Sequence, residues 1–536
     1  MIWHIFKKDA RLLWWLAAAV AALDFAKTAI LHSVGLFPQN GRLVLLVQFM
    51  SIGIPLGAGF TIAALVHQDA IPGVRQDWLV RPIRRRDLLL AKLLFVLLMV
   101  QLPILLLDLF AGLADGHTFA RSLAGAAARS LYLLLLVDIP FLAFASLTRN
   151  LLEAITGGVA IFFGIATLIA LFTGGGNRFA QQPTLGTGLV WIMVSAMLLV
   201  LLIGGTILLG LQFFRRCTFL SRCLTGAVAV LAFAATFLPW QPAFAIQQAV
   251  SGSSTAADAV AVTFNPGLGR MLRDPRMPIF PLNTRDEEST PIFLPLRVTG
   301  LPPSAGLQSD RLAFRIAGAD GRVIPAGSYP QSSLRALQDP AGPREQTAYQ
   351  ALVVPSGVYQ RVKDQTIRLE LDYSLTLFRL TSSPALPAVN SDRHMPGIGW
   401  CATRINNSQT AVQLRCEQAG GKPTCVTALL EDSSTGRRNP ERFACEGMDY
   451  GPFPAWDLMP DSLGRYGANL PFRDDAGLAH YPVDGSMLPQ AQVVMHVYEP
   501  AAHFERHLVI PQIRLGDWVV QTAANPQPST QESVLR

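Results

Sequence analysis

The chain has 536 residues, 51% of them hydrophobic and only 15% charged. That is too apolar for a disordered or fibrous protein and long enough for several domains. A net charge of +7 does not indicate nucleic acid, because the Lys and Arg residues before position 240 cluster in short segments between apolar runs, and no zinc-finger spacing or interleaving of aromatic and basic residues occurs.

Long uncharged runs dominate up to Trp240 and hardly recur afterwards. The sequence therefore divides into a membrane-crossing domain, 1–240, and a second domain, 246–520, with a disordered tail at 521–536. At the N-terminus, Trp3, Phe6 and Leu13 fall near one helical face, and Lys7, Lys8 and Arg11 can reach phospholipid headgroups. This pattern predicts an interfacial helix leading into the first span. The apolar stretch that follows lacks a small-x-small cleavage site and is succeeded by six more, so it reads as a span and not a signal peptide.

A spanning helix needs about 20 mostly apolar residues. Seven stretches qualify: 12–31, 43–66, 88–110, 130–147, 151–173, 188–213 and 224–240. The fourth and seventh are short and carry Pro140 and Pro239, which favour kinks. With the N-terminus inside, twelve basic residues (Lys7, Lys8, Arg11, Arg75, Arg81, Arg84, Arg85, Arg86, Arg149, Arg215, Arg216 and Arg222) lie in the cytoplasm. Only Arg42, Arg121, Arg129 and Arg178 lie outside. The excess of Lys and Arg in cytoplasmic loops fixes the orientation, and an odd number of spans then places the second domain outside the cytoplasm.

Charged residues inside spans are costly and should face the bundle interior, each other or water. Asp24 and Lys27, three apart in the first span, are placed to neutralise one another, in a transport-lining or a packing role. Asp138 lies in apolar surroundings, whereas Asp108 and Glu153 read as interfacial. Gly157, Gly158, Gly164, Gly204, Gly205 and Gly210 permit close helix approach, as in a compact bundle or a dimer interface.

The loop after the second span combines Trp78, Leu79 and Ile83 with five arginines, Arg75, Arg81, Arg84, Arg85 and Arg86. Anionic headgroups account for the arginines alone. Exposed aromatic and aliphatic groups among them fit a protein partner better.

Here the sequence resembles the permease subunits of type-2 ATP-binding-cassette exporters. In that family the loop between the second and third spans carries a pattern close to Arg-Pro-Ile-x-Arg-x-Asp/Glu-Leu-Leu-x-x-Lys. It is matched by Arg81, Pro82, Ile83, Arg85 or Arg86, Asp87, Leu88, Leu89 and Lys92. The resemblance covers about residues 1–213. It implies that Trp78 and the Arg81 to Lys92 segment couple to a separate cytoplasmic ATPase subunit, which would hold ATP and Mg2+. It also implies a homodimer or a paralogous permease partner in the bacterial cytoplasmic membrane, exporting a hydrophobic or amphiphilic substrate. The seventh span and the large external domain depart from the usual family pattern. No Gly-x-x-x-x-Gly-Lys-Ser/Thr sequence occurs in the chain, so the expectation is a non-catalytic subunit without a cofactor of its own. The alternative is a membrane-anchored extracytoplasmic binding or sensing module.

After Trp240 the chain is rich in Pro, Gly and Ser, and apolar alternation replaces long runs. Strands are predicted at 311–316, 348–354, 366–373, 411–414 and 492–498, with 375–380 either extending the 366–373 strand or beginning its partner. The expected fold is a mainly β domain with sheet packed on sheet, as one unit or as two subdomains meeting near residue 360. Cys401, Cys416, Cys425 and Cys445 all fall in this domain, where an oxidising compartment favours two disulfides in any of three pairings; Cys217 and Cys223 belong to the basic cytoplasmic segment. His496, His503 and His507 have neither metal-site nor protease spacing and are expected as surface or hairpin residues.

Overall fold

A computed structural model describes residues 1–37, 41–68, 84–158, 189–215, 218–235, 238–251, 255–270, 272–273, 289–318, 323–330, 334–337, 346–395, 398–419, 425–445, 463–473 and 481–522, with single positions at 160, 164 and 167. The architecture is an α-helical membrane bundle followed by a β-rich domain with open sheets.

Five helices are long and apolar enough to span a membrane: Ile2–Ser33, Gly41–His67, Arg85–Ala114, Phe119–Ala145 and Trp191–Arg215. A sixth span is possible from the pair Phe219–Ala235 and Trp240–Ser251, which lie at 77° to each other. The fifth span predicted from sequence, 151–173, falls mostly outside the described residues. Bulky groups such as Trp14, Phe49, Phe110 and Ile203 are exposed on the bundle, as a lipid-facing surface requires.

Two expectations about helix limits are corrected. Residues 2–13 and the first span form one uninterrupted helix, Ile2–Val34. At 1.5 Å per residue, its 33 residues reach about 50 Å, well beyond the roughly 30 Å hydrocarbon core. No break is needed for Lys7 and Lys8 to lie in the headgroups. The fourth span begins at Phe119, eleven residues before the apolar run, because an alanine-rich amphipathic stretch extends it. Arg129 therefore sits inside the bundle and not in an outer loop.

The third and fourth spans each contain a π-helical turn, Val96–Gln101 and Leu134–Asp138. Each turn is followed two residues later by a proline, Pro103 or Pro140. Proline has no N–H to return to the preceding turn, which loosens the helix there. Gly204 and Gly205 lie where a Cβ would collide with Val228 and Ile139, so glycine lets the Val190–Gly210 helix press against two neighbours.

In the β domain, Ile367–Ser382 forms one strand, so 375–380 extends the strand predicted at 366–373 and does not begin its partner. Ile367, Leu369, Leu371 and Tyr373 are buried on alternate positions. It pairs with Ala305–Ala317 on one side and with Ala491–Ile513 on the other. Register shifts interrupt the long Ala491–Ile513 strand, one of them at Pro500, where the missing N–H breaks the ladder.

This large sheet shares one core with the sheet of Ala261–Phe264, Ser289–Thr299 and Gln346–Pro355. It shares a second core with the sheet of Ser391–Met395, Gly399–Ile405, Ala411–Ala419 and Leu463–Pro471. Residue 360, where the sequence suggested a subdomain boundary, lies in the short helix Ser356–Val362, and strands from both sides of it, Ala305–Ala317 and Ile367–Ser382, pair in the large sheet. The change from one core to the other falls nearer residue 385.

Candidate functional site

Contacts sort the helix ends into two opposite poles. At the pole holding the N-terminus, His67 Nε2 lies 2.9 Å from Thr148 Oγ1, Gln212 donates to the Ser146 carbonyl at 3.0 Å, and Arg85 donates to the Phe214 carbonyl at 2.8 Å. The β domain docks on the other pole. The N-terminus and the β domain are thus on opposite sides of the bundle, as the charge distribution required, and Arg129 leaves the outer group.

Within the segment that resembles a coupling loop, Trp78, Arg81, Pro82 and Ile83 lie outside the described residues. Arg85 and Arg86 open the helix Arg85–Phe95 and Asp87 occupies its first turn. A helix N-terminus favours acid and disfavours base, so Asp87 stabilises this end whereas Arg85 and Arg86 do not. Arg86 is exposed. Lys92 points inward: its Nζ donates to Asp9 Oδ2 at 2.8 Å and to the Leu65 carbonyl at 2.8 Å, and both charged groups are buried. One side chain therefore ties the third span to the first and the second.

Arg129 joins the intramembrane charges of the first and third spans. Asp24 is bound by Arg129, whose Nη2 lies 2.8 Å from its Oδ1, and the same guanidinium reaches Asp108 Oδ1 at 2.6 Å through Nη1. Lys27 is buried as well, and Asp24 is held by the forked guanidinium, which can hold two carboxylates at once. Asp108, read as interfacial, is buried as the second carboxylate of that fork. Deeper in the same two spans, Gln101 Nε2 donates to Asp138 Oδ2 at 2.5 Å and Ser130 Oγ donates to Gln101 Oε1 at 2.7 Å.

A directional chain of hydrogen bonds crosses the junction with the β domain. Trp191 Nε1–H can only donate, and it does so to Gln247 Oε1 at 2.7 Å. The Gln247 amide N–H then faces His503 Nε2 at 3.0 Å, which makes that nitrogen the acceptor. His503 Nδ1 carries the proton and donates to Thr376 Oγ1 at 2.7 Å; the hydroxyl donates to Asp310 Oδ2 at 2.5 Å. Burial pushes the His503 imidazole down to about 4, in keeping with this neutral tautomer. Alongside, Trp240 donates to Ser374 at 3.1 Å and lies under the Arg311 guanidinium.

A second contact brings the outer ends of the first, third and fourth spans to the sheet containing His394. The His117 and His394 rings meet edge-on at 5.6 Å, and His32 binds Asp115 at 3.0 Å. Burial and the nearby His394 lower the His117 imidazole, while burial and the nearby Glu417 raise the Asp115 carboxyl against the pull of His32.

Two of the three histidines expected at the surface are buried. His503 lies in the junction chain, and His496 lies 2.8 Å from Glu441 Oε1. His507 is exposed and bonds Asp372 at 2.6 Å. Cys401 and Cys416 form a disulfide between paired strands. Cys445 stands opposite Val426, one residue from the buried Cys425. Cys217 lies outside the described residues, and Cys223 is exposed and unbonded. No group of three or more His, Cys, Asp or Glu suited to a metal ion is found among the described residues.

Fold and site define a multi-pass membrane protein carrying an extracytoplasmic β domain that is hydrogen-bonded to the bundle. Compared with known proteins, the chain matches no family model and no curated sequence.

Proposed function

We propose that the chain is the permease subunit of an export system in the bacterial cytoplasmic membrane, moving a hydrophobic or amphiphilic substrate with energy from a separate ATPase subunit. The observation that carries this reading is Lys92. It ends the segment with the coupling-loop pattern, and its ammonium is bonded in the interior to Asp9 and to the Leu65 carbonyl. A push on the exposed Arg86 at the start of this helix would be transmitted to three spans through a buried contact instead of being lost in a loop. The arginines at that helix start oppose the helix dipole, which supports an external role for them in binding headgroups or an acidic partner surface.

The bundle would work as a homodimer or with a paralogous permease. Affinity purification of the full-length chain from its native membrane, followed by an ATP-hydrolysis assay, tests the reading. Copurifying ATPase activity supports it, and a preparation free of any nucleotide-binding subunit removes its energy source.

A second reading, an extracytoplasmic sensing module, draws on the hydrogen-bond chain from Trp191 to Asp310. It predicts that external function survives disruption of the Arg85–Lys92 segment, whereas the permease reading predicts its loss.

A further inference from the structure

Among the described residues, the bundle interior holds four buried carboxyl groups, Asp9, Asp24, Asp108 and Asp138, but three buried bases, Lys27, Lys92 and Arg129. Lys92 binds Asp9, and Arg129 binds both Asp24 and Asp108. Asp138 is the acid left over. It is 1% exposed and Gln101 satisfies its Oδ2, while its Oδ1 meets no hydrogen-bond partner among the described residues.

Two helices packed against the Asp138 turn carry no charge near it. The helix Val190–Gly210 has no ionisable residue, and Gly41–His67 has only Arg42 and His67, at its two ends. In sequence, positions 154–177 are also without one. A buried carboxylate without a counter-charge is costly, and intramembrane acids of this kind mark ligand or ion pathways.

The local backbone reinforces the point. Gln101-Leu102-Pro103 and Asp138-Ile139-Pro140 are matching triplets on antiparallel spans, each closing a π-helical turn. π-Turns concentrate at functional sites. Because Pro103 and Pro140 lack an N–H, the carbonyls one turn earlier lose their helical donor. The site therefore offers one carboxylate oxygen as an acceptor, in a bundle core whose buried side chains include Val100, Ile104 and Val137. A metal ion needs several oxygen ligands, and one carboxylate is a poor cage for it. A diffuse organic cation needs a single counter-charge and apolar walls.

We infer that Asp138, oriented by Gln101 and Ser130, is the binding site for the ammonium headgroup of an amphiphile whose alkyl portion lies among the apolar side chains of the bundle. The inference rests on the export reading only in naming this molecule a substrate. Binding is measured on the chain alone, so its failure is distinct from failure to recover an ATPase.

The test is equilibrium binding of radiolabelled dodecyltrimethylammonium to the full-length protein in lipid nanodiscs. Dodecyl maltoside and dodecyl sulfate serve as competitors of equal chain length. The wild type should bind saturably, and excess unlabelled ammonium, but neither competitor, should displace the label. Asp138→Asn keeps an acceptor for Gln101 and should weaken binding at least tenfold with an unchanged melting temperature. Equal displacement by dodecyl maltoside would overturn the proposal without recourse to any variant, as would unaltered affinity in a folded Asp138→Asn protein. An infrared band of a protonated carboxyl that is lost in Asp138→Asn, yet persists at saturating ammonium, would also overturn it by placing a proton where the ligand should be.

Discussion

Lys92 Nζ and Asp9 Oδ2 lie 2.8 Å apart with side-chain exposures of 3% and 0%, although 83 residues separate them. The pair closes the inner end of the bundle at the point where the Arg85–Phe95 helix begins to pack. Lys92→Met removes the base and leaves a buried carboxylate, a change that costs about 3–5 kcal/mol when one partner of a buried pair is lost. The double variant Asp9→Leu with Lys92→Met removes both charges and should recover most of that loss. Thermal unfolding of both proteins in nanodiscs measures the difference. Equal melting temperatures for Lys92→Met and the wild type would show that the pair contributes nothing.

Arg129 serves two carboxylates through different nitrogens. A lysine at this position keeps the charge but not the fork. Arg129→Lys should therefore destabilise the bundle by at least about 2 kcal/mol, in the range for breaking charged hydrogen bonds in the interior. Arg129→Leu should be worse, because it removes the guanidinium from both carboxylates. If Arg129→Lys unfolds like the wild type, one of the two contacts is dispensable.

His503 gives the junction a pH dependence of known sign. Its imidazole is held down to about 4 by burial, against about 6.5 when exposed. The unfolded or undocked state thus binds the proton more tightly. The neutral His503 contributes fully above pH 6.5, the contribution falls as the pH drops from 6.5 towards 4, and it levels off below that. The total is roughly 3 kcal/mol by linkage. Protonation also turns Nε2 into a donor facing the Gln247 amide N–H. Melting curves of the wild type and His503→Gln should diverge in slope across this window; parallel curves would count against a buried neutral imidazole.

The disulfide Cys401–Cys416 spans 15 residues, and a loop of that length gives about 3 kcal/mol in the chain-entropy view. Nonreducing peptide maps of protein from intact membranes should recover this bond. Recovering Cys401 and Cys416 as free thiols would contradict both the pairing and the oxidising side assigned to the domain.

Much of this was legible in the sequence, for identifiable reasons. Uncharged runs have no soluble explanation, so the spans could be read directly, and the alternation at Ile367, Leu369, Leu371 and Tyr373 marks a strand with one buried face. Asp24 and Asp138 were visible as costly residues, but cost does not name a partner. Arg129 lies 105 residues from Asp24, and an alanine-rich helix start concealed its depth. The π-turns leave no sequence period of their own; only Pro103 and Pro140 hint at them. His503 looked like one of three surface histidines because the Gln247 and Thr376 contacts come from residues 256 and 127 positions away.

The central claim is that the Arg85–Lys92 helix start meets an ATPase. A photoreactive amino acid at the exposed position of Arg86, activated in native membranes, measures this directly. The account predicts a covalent adduct with a subunit carrying a phosphate-binding Gly-x-x-x-x-Gly-Lys-Ser/Thr loop, and no such adduct from a probe at the outer His117. Crosslinking at Arg86 to lipid alone, with the protein intact and folded, would contradict it.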